Sequence, residues 1–104
     1  MVTLKQKNAI NDALNTQIMS VRRQMKALES LSERVTAKLI SLHDDERKLQ
    51  EIDVNDIELK KLRTKAIKSL GTAASSLEAL QRINSAMRKN FNKQLRLLRT
   101  QVLP

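Results

Sequence analysis

The chain has 104 residues, with one glycine, one proline, no cysteine and a single aromatic side chain, and its formal net charge is +9. This length allows one domain, and the scarcity of turn residues and aromatics excludes sandwiches and barrels and predicts long helices. The lack of cysteine excludes disulfides, thiolate nucleophiles and cysteine zinc sites, and the positive charge favours polyanionic partners, nucleic acid before an anionic membrane surface.

The amino-terminal segment and the hydropathy of the chain give no sign of secretion or membrane insertion. The first residues contain no apolar run of the kind that makes a secretory signal. No window approaches the roughly 18 apolar residues of a membrane span. We therefore expect a protein that acts in the cytoplasm, a reducing compartment in which cysteine-free chains are common.

The first predicted helix runs from about residue 4 to residue 51. Thr3 and Gln6 match a capping box, in which each side chain accepts a hydrogen bond from the other residue's backbone amide. Apolar residues then recur at alternating intervals of four and three, the 3.5-residue period of a helix that packs along a partner. In heptad notation these are positions a and d, and Ser32 and Glu46 are polar exceptions. The predicted core or dimer seam consists of Leu14, Ile18, Val21, Met25, Leu28, Val35, Leu39, Leu42 and Leu49.

A short reversal is predicted at about residues 52–55. Asp53 and Asn55 favour turns. Asn55 can also serve as the N-cap of a second helix, with Glu58 three residues later and Asp56 favourable to the helix dipole. Two helices of nearly equal length, about 4–51 and 55–102, then form a long antiparallel hairpin.

The second helix has a less regular seam and a weak point at Gly71. Gly71 could end a helix as a C-cap, and Ser75 with Glu78 could begin another. We favour one continuous helix, because a single glycine costs only about 1 kcal/mol; a break near Gly71 is the alternative. The predicted seam consists of Leu59, Arg63, Ala66, Leu70, Ala73, Leu77, Leu80, Asn84, Met87, Phe91, Gln94 and Leu98.

Residues 1–104 are predicted to form a single helical-hairpin domain that associates with a second copy. A lone hairpin buries little surface, whereas a homodimer closes the seam as a four-helix bundle or coiled coil. A coiled-coil helix of another protein could take the second copy's place. Ser32, Glu46 and Asn84 either fix the register and oligomer state or lie at the edge of the seam.

Catalytic constellations are nearly absent, so we predict no enzyme, no metal site and no cofactor. The one cluster of metal-type ligands is His43–Glu46, and successive helical side chains diverge by about 100°, so these four do not converge on one ion. With only one histidine in the chain, no Ser/His/Asp catalytic triad can be argued from the sequence. A single glycine cannot build a phosphate-binding loop.

Positive charge is concentrated in the second half of the chain. Residues 1–52 contain nine basic and seven acidic side chains, residues 53–104 contain eleven and four, and no acidic residue follows Glu78. Opposite the predicted seam, basic residues recur in a stripe about 50 Å long, which could neutralise phosphates along a duplex whatever its sequence. The lack of Tyr and Trp argues against base stacking on single strands. This basic stripe, the predicted nucleic-acid-binding site, consists of Lys61, Lys65, Lys68, Arg82, Lys89, Lys93 and Arg96.

In size, helicity and basic stripe, the chain resembles small all-helical viral proteins that coat double-stranded RNA, such as the nodavirus-type suppressors of RNA silencing. That resemblance implies a dimer of helical hairpins with basic faces along the duplex. The same features equally resemble phage or secretion-system coiled-coil adaptors, which implies a protein that joins other proteins.

Two hypotheses follow for the function. The first is a non-enzymatic homodimer that binds duplex nucleic acid without sequence preference, with double-stranded RNA slightly favoured over DNA. In this hypothesis Arg22, Arg23 and Lys26 of the first helix extend the binding surface. The alternative is a coiled-coil scaffold or adaptor that mediates protein–protein assembly, in which case the basic stripe is only a solvated face.

Overall fold

Two long α-helices joined by a short turn make up the fold. The computed structural model describes residues 2–104, in which α1 spans Leu4–Glu51, α2 spans Ile57–Gln101 and no β-strand occurs. The all-α helical hairpin predicted from the sequence is confirmed, and its helix bounds agree with the observed ones to within two residues. The chain divides into two compact units. Unit 1 combines the residues up to Ser30 with Asn84–Pro104, and unit 2 is Leu31–Ile83.

The first helix, α1, begins at the predicted capping box. The backbone N–H of Thr3 donates to Gln6 Oε1 at 3.0 Å, and the N–H of Gln6 donates to Thr3 Oγ1 at 3.2 Å. Both amides would lack a helical partner without these side chains. The capping box is therefore confirmed, and it fixes where a helix of 48 residues starts.

The seam residues predicted for α1 lie on the buried side of that helix. All nine of its residues are buried or half-buried. The seam lies against α2 of the same chain. In unit 1, Ile18 and Val21 pack with Leu95 of α2, and in unit 2 the Ser32 carbonyl accepts a hydrogen bond from Gln81 of α2. Five of the nine residues, Leu14, Met25, Leu28, Leu39 and Leu49, are only half-buried in the single chain.

Unit 1 has a small apolar core between its two helical segments. The buried side chains of Ile18, Val21 and Leu95 form its centre, and Met25, Phe91, Leu98 and Val102 pack around them. At one end, Asn11 Nδ2 donates to the Leu103 carbonyl at 3.0 Å, and the Leu103 N–H donates to Asn11 Oδ1 at 2.8 Å. This reciprocal pair fastens the residues that follow α2 to α1.

The second helix, α2, begins two residues later than predicted, and its N-cap is Asp56 rather than Asn55. Asp56 Oδ1 accepts from the backbone N–H groups of Glu58 at 2.8 Å and Leu59 at 3.2 Å. A carboxylate at this position satisfies two free amides and also interacts favourably with the helix dipole. An uncharged Asn side chain would lack the second advantage.

Unit 2 contains the turn and a cation that stabilises it. The half-buried Arg63 side chain donates from Nη1 to the Ile52 carbonyl at 2.6 Å. Ile52 follows the last residue of α1, where carbonyl groups have no helical partner and a positive charge is favourable. Arg63 therefore occupies a seam position as a cap for the other helix.

The seam predicted for α2 is wrong at five of its twelve positions: Leu59 is exposed, and four further residues are displaced by one position from the buried side. The prediction took Ala73, Leu80, Met87 and Gln94, which are exposed, whereas the structure buries or half-buries the next residue along in each case. The prediction preferred apolar Leu80 and Met87 to polar neighbours, and those neighbours bond to α1 or lie partly buried beside it. The observed seam consists of Arg63, Ile67, Leu70, Ala74, Leu77, Gln81, Asn84, Arg88, Phe91, Leu95, Leu98 and Val102.

Helix α2 is continuous through Gly71, as the favoured prediction had it. Gly71 has no positive φ and lies within the helix, so it is not a C-cap. A Cβ atom built on it would meet no other atom within 4 Å. The nearby Ala74 is only 3% exposed. Ala74 is thus part of the core, whereas a side chain at Gly71 would meet open space.

Candidate nucleic-acid interface

All seven residues of the basic stripe are exposed on α2. Unit 2 contains Lys61, Lys65, Lys68 and Arg82, and unit 1 contains Lys89, Lys93 and Arg96. The structure therefore divides the predicted site between two units, each of which presents part of it to solvent.

The corrected seam changes the direction of the basic stripe relative to the buried side of α2. At about 100° per residue, the observed seam is rotated by about 60° from the predicted one. With the observed seam as positions a and d, the stripe occupies positions b and f. Position b lies about 130° from the seam centre, toward position e, and f lies about 170° from it. The stripe thus faces one flank of the helix as well as its outer side.

No acidic side chain pairs with the basic stripe in the described residues. The ion pairs that the structure contains lie within residues 43–48 and between His43 and Glu78. The exposed ammonium and guanidinium groups of the stripe are consequently available to an anionic ligand.

The two units differ strongly in net charge. Unit 1 has ten basic and two acidic side chains, a net charge of +8, while unit 2 has ten basic and nine acidic side chains, a net charge of +1. Unit 1 therefore contains nearly all of the net charge of +9. This concentration follows from folding, which places residues 84–104 beside the first thirty residues of the chain.

Helix α1 adds cations to the same side of unit 1. Arg22 of α1 and Arg99 of α2 line one shallow groove together with Asn15. Arg22 and Arg99 both occupy position e of their helices, and e positions adjoin across an antiparallel pair. Arg23 and Lys26, which were predicted to extend the surface, are exposed nearby on α1.

Arg99 is a candidate binding residue that the sequence prediction omitted. Its position e was not recognised as part of the basic side because the predicted seam was rotated. The heptad register of α1, which was correct, could have identified it, since Arg22 occupies the matching position there. We use the name cationic face for seven cations of unit 1 on this side: Arg22, Arg23, Lys26, Lys89, Lys93, Arg96 and Arg99.

The acidic cluster near the end of α1 forms local ion pairs. Lys48 Nζ lies 3.3 Å from Asp44 Oδ2, and Arg47 also bonds to that carboxylate. The hydrogen bond from Lys48 is the main reason that the pKa of Asp44 is lowered, with further contributions from the charges of Lys48 and Arg47. His43 Nδ1 lies 3.8 Å from Glu46 Oε2, and His43 Nε2 lies 3.9 Å from Glu78 Oε1. No group of three or more His, Cys, Asp or Glu side chains in residues 2–104 is arranged to hold a metal ion.

An apolar groove lies at the turn of unit 2. Ile52, Leu59 and Leu62 are 49%, 54% and 59% exposed and line this groove. Large apolar side chains clustered on a surface are typical of sites that bind another molecule. The groove is lined by Leu49, Ile52, Val54, Leu59, Leu62, Arg63 and Ala66.

Neither helix combines the length and hydropathy needed to cross a bilayer, as judged over the described residues. Comparison of the chain with models of protein families, with curated proteins and with solved structures finds no match.

Proposed function

We propose that this protein is a non-enzymatic homodimer that binds duplex nucleic acid through its phosphates, without sequence preference and in the cytoplasm. The observation that supports this proposal best is the net charge of +8 on unit 1. Such a unit attracts polyanions, and binding releases the counterions condensed on the duplex.

The spacing of the cations suits a phosphate backbone. Lys89, Lys93 and Arg96 are separated by about 6 Å and 4.5 Å along α2, and phosphates follow each strand of a duplex at about 3.4 Å of helix axis. Successive side chains can thus reach different phosphates. Arg22 and Arg99, on two different helices, widen the surface across the groove that they line.

RNA is the preferred duplex in this proposal. Asn92 lies among the cations and is exposed at position e. An amide can exchange hydrogen bonds with a ribose 2′-hydroxyl, which DNA lacks. Titration of RNA and DNA duplexes of one sequence, together with the single strands, would measure this preference.

The test of the proposal is a pair of double variants with the same change in charge. K89E/R96E reverses two cations of the cationic face, whereas R34E/K38E reverses two exposed cations of unit 2 that lie outside the basic stripe. At about 100 mM salt we expect K89E/R96E to weaken duplex binding at least about tenfold. The plot of the logarithm of the association constant against the logarithm of salt concentration should become less steep by about two. R34E/K38E should retain most of the affinity.

Equal losses in the two variants would mean that net charge alone, rather than the cationic face, determines binding. No binding of the unmodified protein to any duplex at about 50 mM salt would contradict the proposal altogether, since phosphate contacts are strongest at low salt.

The part of the basic stripe in unit 2 makes additional contacts in this proposal, through Lys61, Lys65, Lys68 and Arg82. K61E/K68E should cause the smaller loss, because unit 2 has a net charge of only +1.

The apolar groove of unit 2 favours a second function, that of a scaffold or adaptor. A helix of another protein could place its apolar side chains against Leu59 and Leu62, as in other helix-in-groove complexes. Under this alternative, a complex with a partner protein would survive K89E/R96E and be lost in L59E/L62E. Under the first proposal, L59E/L62E should retain most of the duplex affinity, as is expected of R34E/K38E.

A further inference from the structure

Unit 1 has a side without charge, opposite its cationic face. Positions c and g of α1 from Ile10 to Ala27, and of α2 from Met87 to Gln101, contain no Asp, Glu, Lys or Arg, and all but one of these residues are exposed. We call this surface the uncharged face. In an antiparallel pair of helices the g positions adjoin on one side and the e positions on the other, so the two helices contribute to one surface.

The composition of the uncharged face is that of a helix–helix interface. Ile10, Met87 and Leu97 are 44%, 43% and 62% exposed. Ala13 and Ala27 allow a neighbouring backbone to come close, and amide side chains such as Gln24 and Gln94 can form hydrogen bonds across a contact. Solvated faces of helices usually contain charged residues, so eleven positions without a charge in a chain that is 30% charged require another explanation.

We propose that the uncharged face binds the same face of a second copy of this chain. This inference rests on the homodimer of the proposed function and identifies its interface. A two-fold interface brings the same patch of each copy together. On a unit with a net charge of +8, a contact through the cationic face would place like charges opposite each other, and the uncharged face avoids this. An acidic partner, by contrast, would bind the cationic face.

The size of the uncharged face fits a dimer contact. From Ile10 to Ala27 the helix rises about 25 Å, and two adjacent helices are about 20 Å wide. A footprint of this size is of the order of one side of a standard interface, which buries about 800 Å² of accessible surface per partner. The resulting four-helix arrangement leaves both cationic faces exposed, so dimerisation and duplex binding do not compete.

Two nearly isosteric double variants test this inference. Q24E/Q94E places carboxylates on the uncharged face, and N15D/N92D places the same number at exposed e positions outside it. Both lower the net charge of the chain from +9 to +7, which reduces general repulsion between copies. Even so, we expect Q24E/Q94E to raise the dimer dissociation constant by about tenfold or more, because the new charges meet across the interface. N15D/N92D should dimerise at least as well as the unmodified chain.

The dissociation constants are measured by sedimentation equilibrium, with circular dichroism to establish that each variant is helical and a duplex titration alongside. Weaker dimerisation of Q24E/Q94E alone would support the uncharged face as the interface. An unchanged dimer in Q24E/Q94E would overturn this assignment and leave the homodimer in place. An unmodified chain that is monomeric up to high micromolar concentration would overturn the homodimer too. Loss of duplex binding in K89E/R96E remains a separate result, which depends on neither outcome.

Discussion

Polar side chains in the seam decide how specifically the two helices pair in each unit. Asn84 is only 2% exposed. Its Nδ2 donates to the Leu28 carbonyl of α1 at 2.8 Å, but its Oδ1 has no hydrogen-bond partner. Asn11 differs, because both of its amide atoms bond to Leu103. One asparagine thus uses only one of its two amide atoms in hydrogen bonds, and the other uses both. We expect this difference to determine whether replacing each asparagine raises or lowers the free energy of unfolding.

Replacement of Asn84 by Leu should stabilise the protein. The Leu28 carbonyl lies in the middle of α1 and keeps its helical hydrogen bond, so the substitution leaves no new unpaired group, and it removes a buried oxygen without a partner. We expect the free energy of unfolding to rise by about 1 kcal/mol. Urea denaturation at a fixed protein concentration measures this change, since association contributes to apparent stability.

The matched control is Asn11→Leu, the same substitution at a half-buried residue of α1 that also lies in unit 1. It breaks two hydrogen bonds and should lower the free energy of unfolding by about 1 kcal/mol. Changes of the same sign in the two variants would show that apolar volume, rather than hydrogen bonding, determines the outcome.

At the scale of the element, α1 and α2 differ in how completely their patterns specify them. Nine of the twelve a and d positions of α1 from Asn11 to Leu49 are apolar, including every d position, so its seam could be predicted residue by residue. In α2 the a positions include Ala74, Gln81 and Arg88, while the g positions include Leu80 and Met87. A seam predicted for α2 from apolar residues alone therefore includes Leu80 and Met87, which the structure leaves exposed, in place of the half-buried Gln81 and Arg88.

The same contrast explains which parts of the candidate site could be predicted. The basic stripe was found because lysine and arginine recur every seven residues, and this spacing does not depend on the seam. Arg99 and the uncharged face were missed, because each is defined by its angle to the observed seam. Asp56 was missed as a cap because Asn55 is an equally good local signal, and only the backbone shows which residue immediately precedes the first turn.

Gly71 gives a direct test of the continuous α2. The residue is helical, and a Cβ would meet no atom within 4 Å, so alanine fits without displacing a neighbour. Gly71→Ala should raise the free energy of unfolding by about 1 kcal/mol, because alanine has the higher helix propensity. Thermal and urea unfolding both measure this change.

Ala86→Gly is the reverse substitution at an exposed position of the same helix and should lower stability by a similar amount. Destabilisation by Gly71→Ala would argue that α2 is interrupted at this residue in solution. In that case the glycine would adopt a conformation that alanine avoids.

At the scale of the whole molecule, folding redistributes charge that the linear sequence conceals. The two halves of the sequence have net charges of +2 and +7. The two units have +8 and +1, because the chain reverses direction and places its two ends in one unit. Self-repulsion is consequently concentrated in unit 1, and this should be visible in the response of each unit to salt.

Hydrogen exchange followed by mass spectrometry can measure that response separately for each unit. Raising the salt concentration from about 10 mM to about 150 mM shortens the Debye length from about 30 Å to about 8 Å. Backbone amides of unit 1 should then gain more protection than those of unit 2, because screening relieves the larger net charge. The K89E/R96E variant lowers the net charge of unit 1 from +8 to +4, so its gain in unit 1 should be clearly smaller. An equal gain in both units of the unmodified protein would show that the concentrated charge does not limit the stability of unit 1. The cations of unit 1 would then not destabilise it in the absence of an anionic ligand. The main physical reason for proposing that this unit binds a polyanion would be lost.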